Sequence, residues 1–194
     1  MTQTELIVAD ADAFRDWLRE NGKVSDGVWL VLAKKGTTDP TSLTYAQALD
    51  EALCEGWIDG QKRTRDAATF MQRFTPRRRN SPWSKRNVGI TEQLIAAGRM
   101  RPAGLAEIDR AKADGRWAAA YSGQASATVP DDLAAALAAN PEASAMFTRL
   151  SGANRFAVLF RVETAKRPDT RARRVEQLVS MLARGETIHP QKPG

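Results

Sequence analysis

The stretch Trp57-Ile58-Asp59-Gly60-Gln61-Lys62-Arg63-Thr64-Arg65-Asp66-Ala67-Ala68-Thr69-Phe70-Met71-Gln72-Arg73-Phe74-Thr75-Pro76, continuing as RRRNSPWSKRN to Asn87, decides how the chain is read. Two β-preferring runs, 57–62 and 69–74, flank the polar turn Thr64-Arg65-Asp66, which predicts a pair of strands. Strand alternation groups Trp57, Asp59 and Gln61 on one face, and Phe70, Gln72 and Phe74 opposite Met71 and Arg73. Gly60 inside the first run marks a bulge or a close backbone approach. Pro76 ends the second strand, and 77–82 reads as a loop. From Lys62 to Arg86 nine basic residues stand against the single acid Asp66, a net +8 in 25 residues, whereas the 194-residue chain carries +6. Everything outside the segment therefore sums to −2, and the basicity is a local surface feature.

Upstream, Asp10–Asn21 reads as a helix with Phe14, Trp17 and Leu18 on one face, stopped by Gly22. Val28–Leu32 is a continuous apolar run and reads as a buried strand. Thr44 and Gln47 make a capping-box pattern ahead of a helix bearing Tyr45, Ala48, Leu49, Ala52 and Leu53, with Gly56 behind it. Downstream, Ser84 reads as the N-cap of a helix through Ala97, with Trp83 and Val88 in staple positions. After Gly98 every periodic stretch is helical. Pro102 opens a helix with Leu105 and Ile108; Pro130 opens one with Leu133 and Leu137. Ala143, Met146, Phe147 and Leu150 form a stripe, Ser151 caps a helix bearing Phe156, Leu159 and Phe160, and Pro168 starts a last helix with Val175, Leu178, Val179 and Leu182. The loop 122–128 (SGQASAT) is the expected linker. The fold class expected is α+β: a small antiparallel sheet flanked by helices over 1–121, followed by an all-helical module over 129–186. The tail 186–194, with two prolines, is expected to be poorly ordered.

Composition limits the chemistry. Cys54 is the only cysteine and His189 the only histidine, which excludes intrachain disulfides, cysteine clusters and histidine-rich metal sites. No Walker loop, GxGxxG after a strand or GxSxG is present, carboxylates are scattered, and neither a metal nor another cofactor is expected. The lack of a long apolar run argues against membrane insertion, and the N-terminus shows no secretory pattern, so a cytoplasmic location is expected. A pI near 9.8 favours anionic partners.

The segments WIDGQ, QRFTPRRRNSPWSKRNV and ANRFAVLFRVETAKRPDTRARRVEQLV resemble the YdeI/OmpD-associated family, also labelled bacteriocin-protection proteins, and the likeness covers essentially the whole chain. The front is similar to the YjbR/CyaY-like α+β group and the back to the family's helical module. The resemblance implies a cytoplasmic bacterial protein tied to envelope stress and resistance to peptides. It carries over no catalytic residues. CyaY-like iron binding uses an acidic ridge, whereas the distinctive segment here is basic.

The leading candidate site is an anion- or partner-binding surface. Arg73, Arg77, Arg78 and Lys85 would hold the anion by charge-assisted hydrogen bonds, with Trp57 and Trp83 as walls and Asp59 and Gln61 as polar neighbours. The helix start after Ser84 would add backbone N–H groups. Asp59 reads either as a general base or polar site residue, or as the salt-bridge partner of a nearby arginine or the cap of a turn, the structural reading favoured. Cys54 beside Leu53 reads as a small core residue. The partner is expected to be an anionic small molecule or a protein. Nucleic acid stays open, through this face and the second basic stretch Arg155–Arg174 (net +5). An enzyme acting on a small anion, with Asp59 as acid or base, is the third reading.

Overall fold

The computed structural model describes residues 5–124 and 126–191. Two compact units emerge, one of residues 1–81 and 87–118, the other of residues 82–86 and 119–194.

The first unit opens with β1 (Glu5–Leu6) and α1 (Ala11–Asn21). Asp10 caps α1, its Oδ1 accepting from the Ala13 N–H at 3.0 Å. Phe14 and Leu18 form the buried edge of that helix. All six residues of β2 (Val28–Ala33) are buried, as an uninterrupted apolar run requires. The Thr44–Gln47 box is formed in both directions ahead of α2 (Tyr45–Cys54). β3 (Trp57–Thr64) and β4 (Thr69–Pro76) pair antiparallel, as predicted. Their turn is built on Asp66, which accepts from the N–H groups of Ala68 and Thr69 and from the Thr69 hydroxyl. Those bonds from Thr69, together with Arg65, hold the Asp66 carboxyl down to about 2. The register slips between Asp59 and Lys62, a bulge at Gly60, whose carbonyl accepts from the Gln72 side chain at 2.7 Å.

The sheet order is β1-β2-β4-β3. β2, β4 and β3 are mutually antiparallel, but β1 runs parallel to β2, so the four-stranded sheet is mixed. β1 was not foreseen, because two residues are too few to show a period. α3 (Lys85–Ala96) and α4 (Pro102–Ala113) follow. α4 crosses α2 closely at Gly104, where any Cβ would run into the Cys54 carbonyl. Ile108 and Ala111 form the buried edge of α4; Leu105, expected beside them, is exposed.

The second unit holds α5 (Asp131–Ala138), α6 (Pro141–Thr148), α7 (Gly152–Glu163) and α8 (Pro168–Ala183). Asn140 and Ser151 cap α6 and α7. Leu133, Leu137, Phe147, Leu159, Leu178 and Leu182 lie in its core. On α7 the buried frame is Val158, Leu159 and Val162. Phe160 instead meets Tyr121 edge-on at 4.7 Å, because a helix rich in apolar residues offers two i, i+3, i+4 frames. The segment 82–86 joins this unit through backbone hydrogen bonds: Tyr121 N–H donates to the Trp83 carbonyl and Lys85 N–H to the Tyr121 carbonyl, both at 2.9 Å. The tail is tied down as far as Gln191. Asn154 Nδ2 donates to the His189 carbonyl and to Gln191 Oε1, and His189 N–H donates back to Asn154 Oδ1. The rest of that tail lies outside the described residues. No helix among the described residues is long and apolar enough to cross a membrane.

Candidate anion site

Alternation along β4 splits its side chains between the two faces of the sheet. Phe74 turns towards α1, 5.7 Å from the ring of Phe14. Arg73 therefore takes the opposite face. There the register sets it beside Trp29 of β2, with Met71 next to Val31 and Arg63 of β3. Arg63 lays its guanidinium carbon 3.9 Å from the Trp29 ring centroid, a cation–π contact that floors this face.

A pocket of about 590 Å³ opens here, between the sheet and the start of the loop after β4. Four arginines are among its lining residues, Arg63, Arg73, Arg77 and Arg78, and Asp26 is the one acid. The size lies within the range of ordinary small-ligand pockets. Arg77 is only 5% exposed, and its backbone N–H donates to the Gly56 carbonyl at 3.0 Å. Arg73 is half-buried, yet its side chain forms no hydrogen bond or ion pair among the described residues. Such a group has lost part of its hydration and uses none of its five donors among the described residues. Gly27 makes room for it. At φ +132° a Cβ there would lie 2.8 Å from Arg73 Nη2 and 2.7 Å from the Phe74 carbonyl oxygen.

Of the eight residues predicted for the site, Gln61, Arg73, Arg77 and Arg78 come together at this pocket. Trp57 does not line it. It is buried in the first unit's core, edge-on to Trp17 with centroids 5.9 Å apart. Asp59 is half-buried and its Oδ2 accepts from the Tyr45 hydroxyl at 2.8 Å, a structural pairing with a tyrosine in place of the arginine or turn cap expected from the sequence. Trp83 and Lys85 belong to the second unit, where Trp83 is buried and Lys85 Nζ donates to Ser122 Oγ at 3.0 Å. Sequence reading missed Trp29, Arg63 and Asp26 as site residues. Trp29 read as buried strand, and only the register of β2 on β4 reveals that it carries Arg63.

The second basic stretch is largely engaged within its own unit. Arg171 holds Asp132 with two bonds of 2.6 and 2.9 Å, Arg174 donates to the Arg161 carbonyl, Arg167 pairs with Asp169, and Arg155 covers the Phe147 ring. Those contacts make helix-surface ties of most of its charge. Cys54 is buried, and burial followed by the nearby Glu51 charge pushes its thiol up to about 11, the wrong direction for a nucleophile.

Comparison with known families divides the chain much as its composition does. The profile of a domain of unknown function, DUF8412, matches residues 6–107, in place of the YjbR/CyaY-like match expected for the front. The profile described as bacteriocin-protection, YdeI or OmpD-associated matches residues 126–185. No curated protein and no solved structure matches. With over half of its length under the first profile, the chain belongs to the DUF8412 family, and its C-terminal helices are similar to the YdeI/OmpD-associated profile.

Proposed function

We propose that this protein is a non-catalytic anion-binding protein of the cytoplasm, working in the stress- or peptide-resistance setting of the YdeI/OmpD-associated family. Its working surface is the arginine pocket of the first unit. The observation that carries this reading is Arg73, a half-buried residue whose side chain has no hydrogen-bond or ion-pair partner among the described residues, at a concave site shared with Arg63, Arg77 and Arg78. Guanidinium forks match the paired oxygens of carboxylate and phosphate groups, and several around one pocket suit a ligand with more than one negative charge. A pocket of about 590 Å³ fits a compact polyanion.

Calorimetric titration with pyrophosphate, citrate and a short single-stranded oligonucleotide tests the reading. Pyrophosphate or citrate should bind at a single site, and Arg73→Gln should weaken that binding about tenfold, the equivalent of ~1.4 kcal/mol for one lost charge-assisted contact. Adding Arg78→Gln should abolish it. Unchanged affinity in the double variant would reject the pocket. Oligonucleotide binding with a steep salt dependence, alongside no response to the small anions, would favour a nucleic-acid protein instead.

A further inference from the structure

The loop that brings Arg77 and Arg78 to the pocket is fixed at both ends. At its start the Arg77 N–H is held by the Gly56 carbonyl. At its end Arg78 and Ser81 close on each other: Ser81 N–H donates to the Arg78 carbonyl at 2.9 Å, and Arg78 N–H donates to Ser81 Oγ at 3.1 Å. The Ser81 carbonyl is left over by this turn. It accepts from Arg116 Nη1 at 3.0 Å, a residue 35 positions further along the chain.

Arg116 lies just beyond α4 and is only 3% exposed. Its Nε sits 2.8 and 2.7 Å from the two oxygens of Asp114, whose Oδ1 also accepts the Arg116 backbone N–H. Nη2 is buried without a hydrogen-bond partner among the described residues. Burying a guanidinium is costly, and an apolar side chain of similar volume would fill the same space at a lower penalty. What an apolar side chain lacks is a planar fork that can hold a carboxylate with one nitrogen and a backbone carbonyl with another. Asp114 is 45% exposed at its side chain, so solvent screens the ion pair and leaves it a modest contribution to stability. The geometric consequence is larger, because this one side chain fixes the far end of the loop.

We infer that Arg116 is a positioning residue for the anion pocket: by holding the Ser81 carbonyl it sets where Arg78 presents its side chain. The inference rests on the anion-binding reading of that pocket, and it assigns Arg116 no contact with the ligand.

The test is a double-mutant cycle on pyrophosphate affinity, with Arg116→Gln, Arg116→Lys, Arg78→Gln and the Arg78→Gln/Arg116→Gln pair. Arg116→Gln should weaken binding about fivefold to tenfold, in line with the coupling of residues acting through one another. Arg116→Lys keeps the charge and one donor and should recover part of that loss. In the Arg78→Gln background the Arg116→Gln change should cost less than about twofold, because its effect passes through the loop. Amide hydrogen exchange at Arg78 and Ser81 should quicken in Arg116→Gln even without ligand. Independent, multiplying effects would overturn the inference, as would full affinity or unchanged exchange in Arg116→Gln. Should Arg116→Gln fail to fold, Arg116→Lys carries the same comparisons. Loss of binding in Arg78→Gln with none in the Arg116 variants would sink this inference alone. A wild-type protein that binds no pyrophosphate would remove the pocket reading and this inference with it.

Discussion

Gly27 is the position where a single atom decides the site. Its φ of +132° lies where L-residues are strained, and the space a Cβ needs is already occupied by Thr75 Cγ2, the Phe74 carbonyl and Arg73 Nη2, at 2.6, 2.7 and 2.8 Å. The first two are anchored in β4, so the flexible guanidinium of Arg73 is what would be displaced. Gly27→Ala is therefore expected to destabilise the fold by about 1–3 kcal/mol from backbone strain. It should also weaken pyrophosphate binding as much as Arg73→Gln does. Urea unfolding and the same titration check both halves. A variant that loses stability but keeps full affinity would separate Gly27 from the pocket. At the same scale, Asp59 shows how a suggestive residue is absorbed by structure: an acid in a strand is unusual, and here the Tyr45 hydroxyl answers it.

Helix and strand ends were legible because each has a local chemical signature. The Thr44–Gln47 box, the Ser151 cap and the prolines opening α4 and α8 all act within a few residues of themselves, and the Asp10 and Asn140 caps, which went unread, carry the same signature. Contacts between elements had no such signature. One is the cluster joining α1, α2 and the turn after α3. Glu51, with 4% of its side chain exposed, receives Arg15 at 2.8 and 2.9 Å and Arg99 at 2.7 Å. Burial alone would raise its carboxyl, but the bonds and charges of Arg15 and Arg99 outweigh that and hold it below the ordinary 4.5. A depressed carboxylate gives stability that is fully present above its unfolded value and is lost as pH falls through the folded one. Glu51→Gln should then cost about 2 kcal/mol at pH 7. The gap between variant and wild type should narrow as the pH falls below the ordinary 4.5 and on through the depressed folded value, where wild-type Glu51 itself protonates. Urea melts at pH 7 and at pH 3 provide the comparison, and a gap of constant size would contradict it. Strand register was equally hidden. Sequence alternation placed Arg73 on a face, but pairing of β4 with both β2 and β3 is what adds Trp29 and Arg63 to it.

On the scale of the whole chain, the change of character after Gly98 was visible in composition; the first family profile runs past it to residue 107 and the second begins at 126. The excursion of residues 82–86 was not visible. Trp83 and Lys85 stand a few positions from Arg79, and sequence proximity made them natural companions of Arg77 and Arg78. They instead pair with Tyr121 and Ser122, more than thirty residues downstream. A fragment of residues 119–194 should accordingly keep its helical signal yet melt below a version in which 82–86 is joined to it by a short flexible linker. Two restored backbone hydrogen bonds, each worth about 1 kcal/mol, should raise the midpoint by several degrees in a unit of this size. Equal melting temperatures by circular dichroism would show that the segment contributes nothing to that unit.

The same excursion constrains heredity. The five residues Pro82–Arg86 are encoded upstream of residues 87–118, which belong to the other unit. A single crossover in the gene at codon 118 thus hands a recombinant four helices without the tract that pairs with Tyr121. Only an exchange that also carries codons 82–86 transmits the second unit whole, so the two halves are poor material for shuffling and are best inherited as one block.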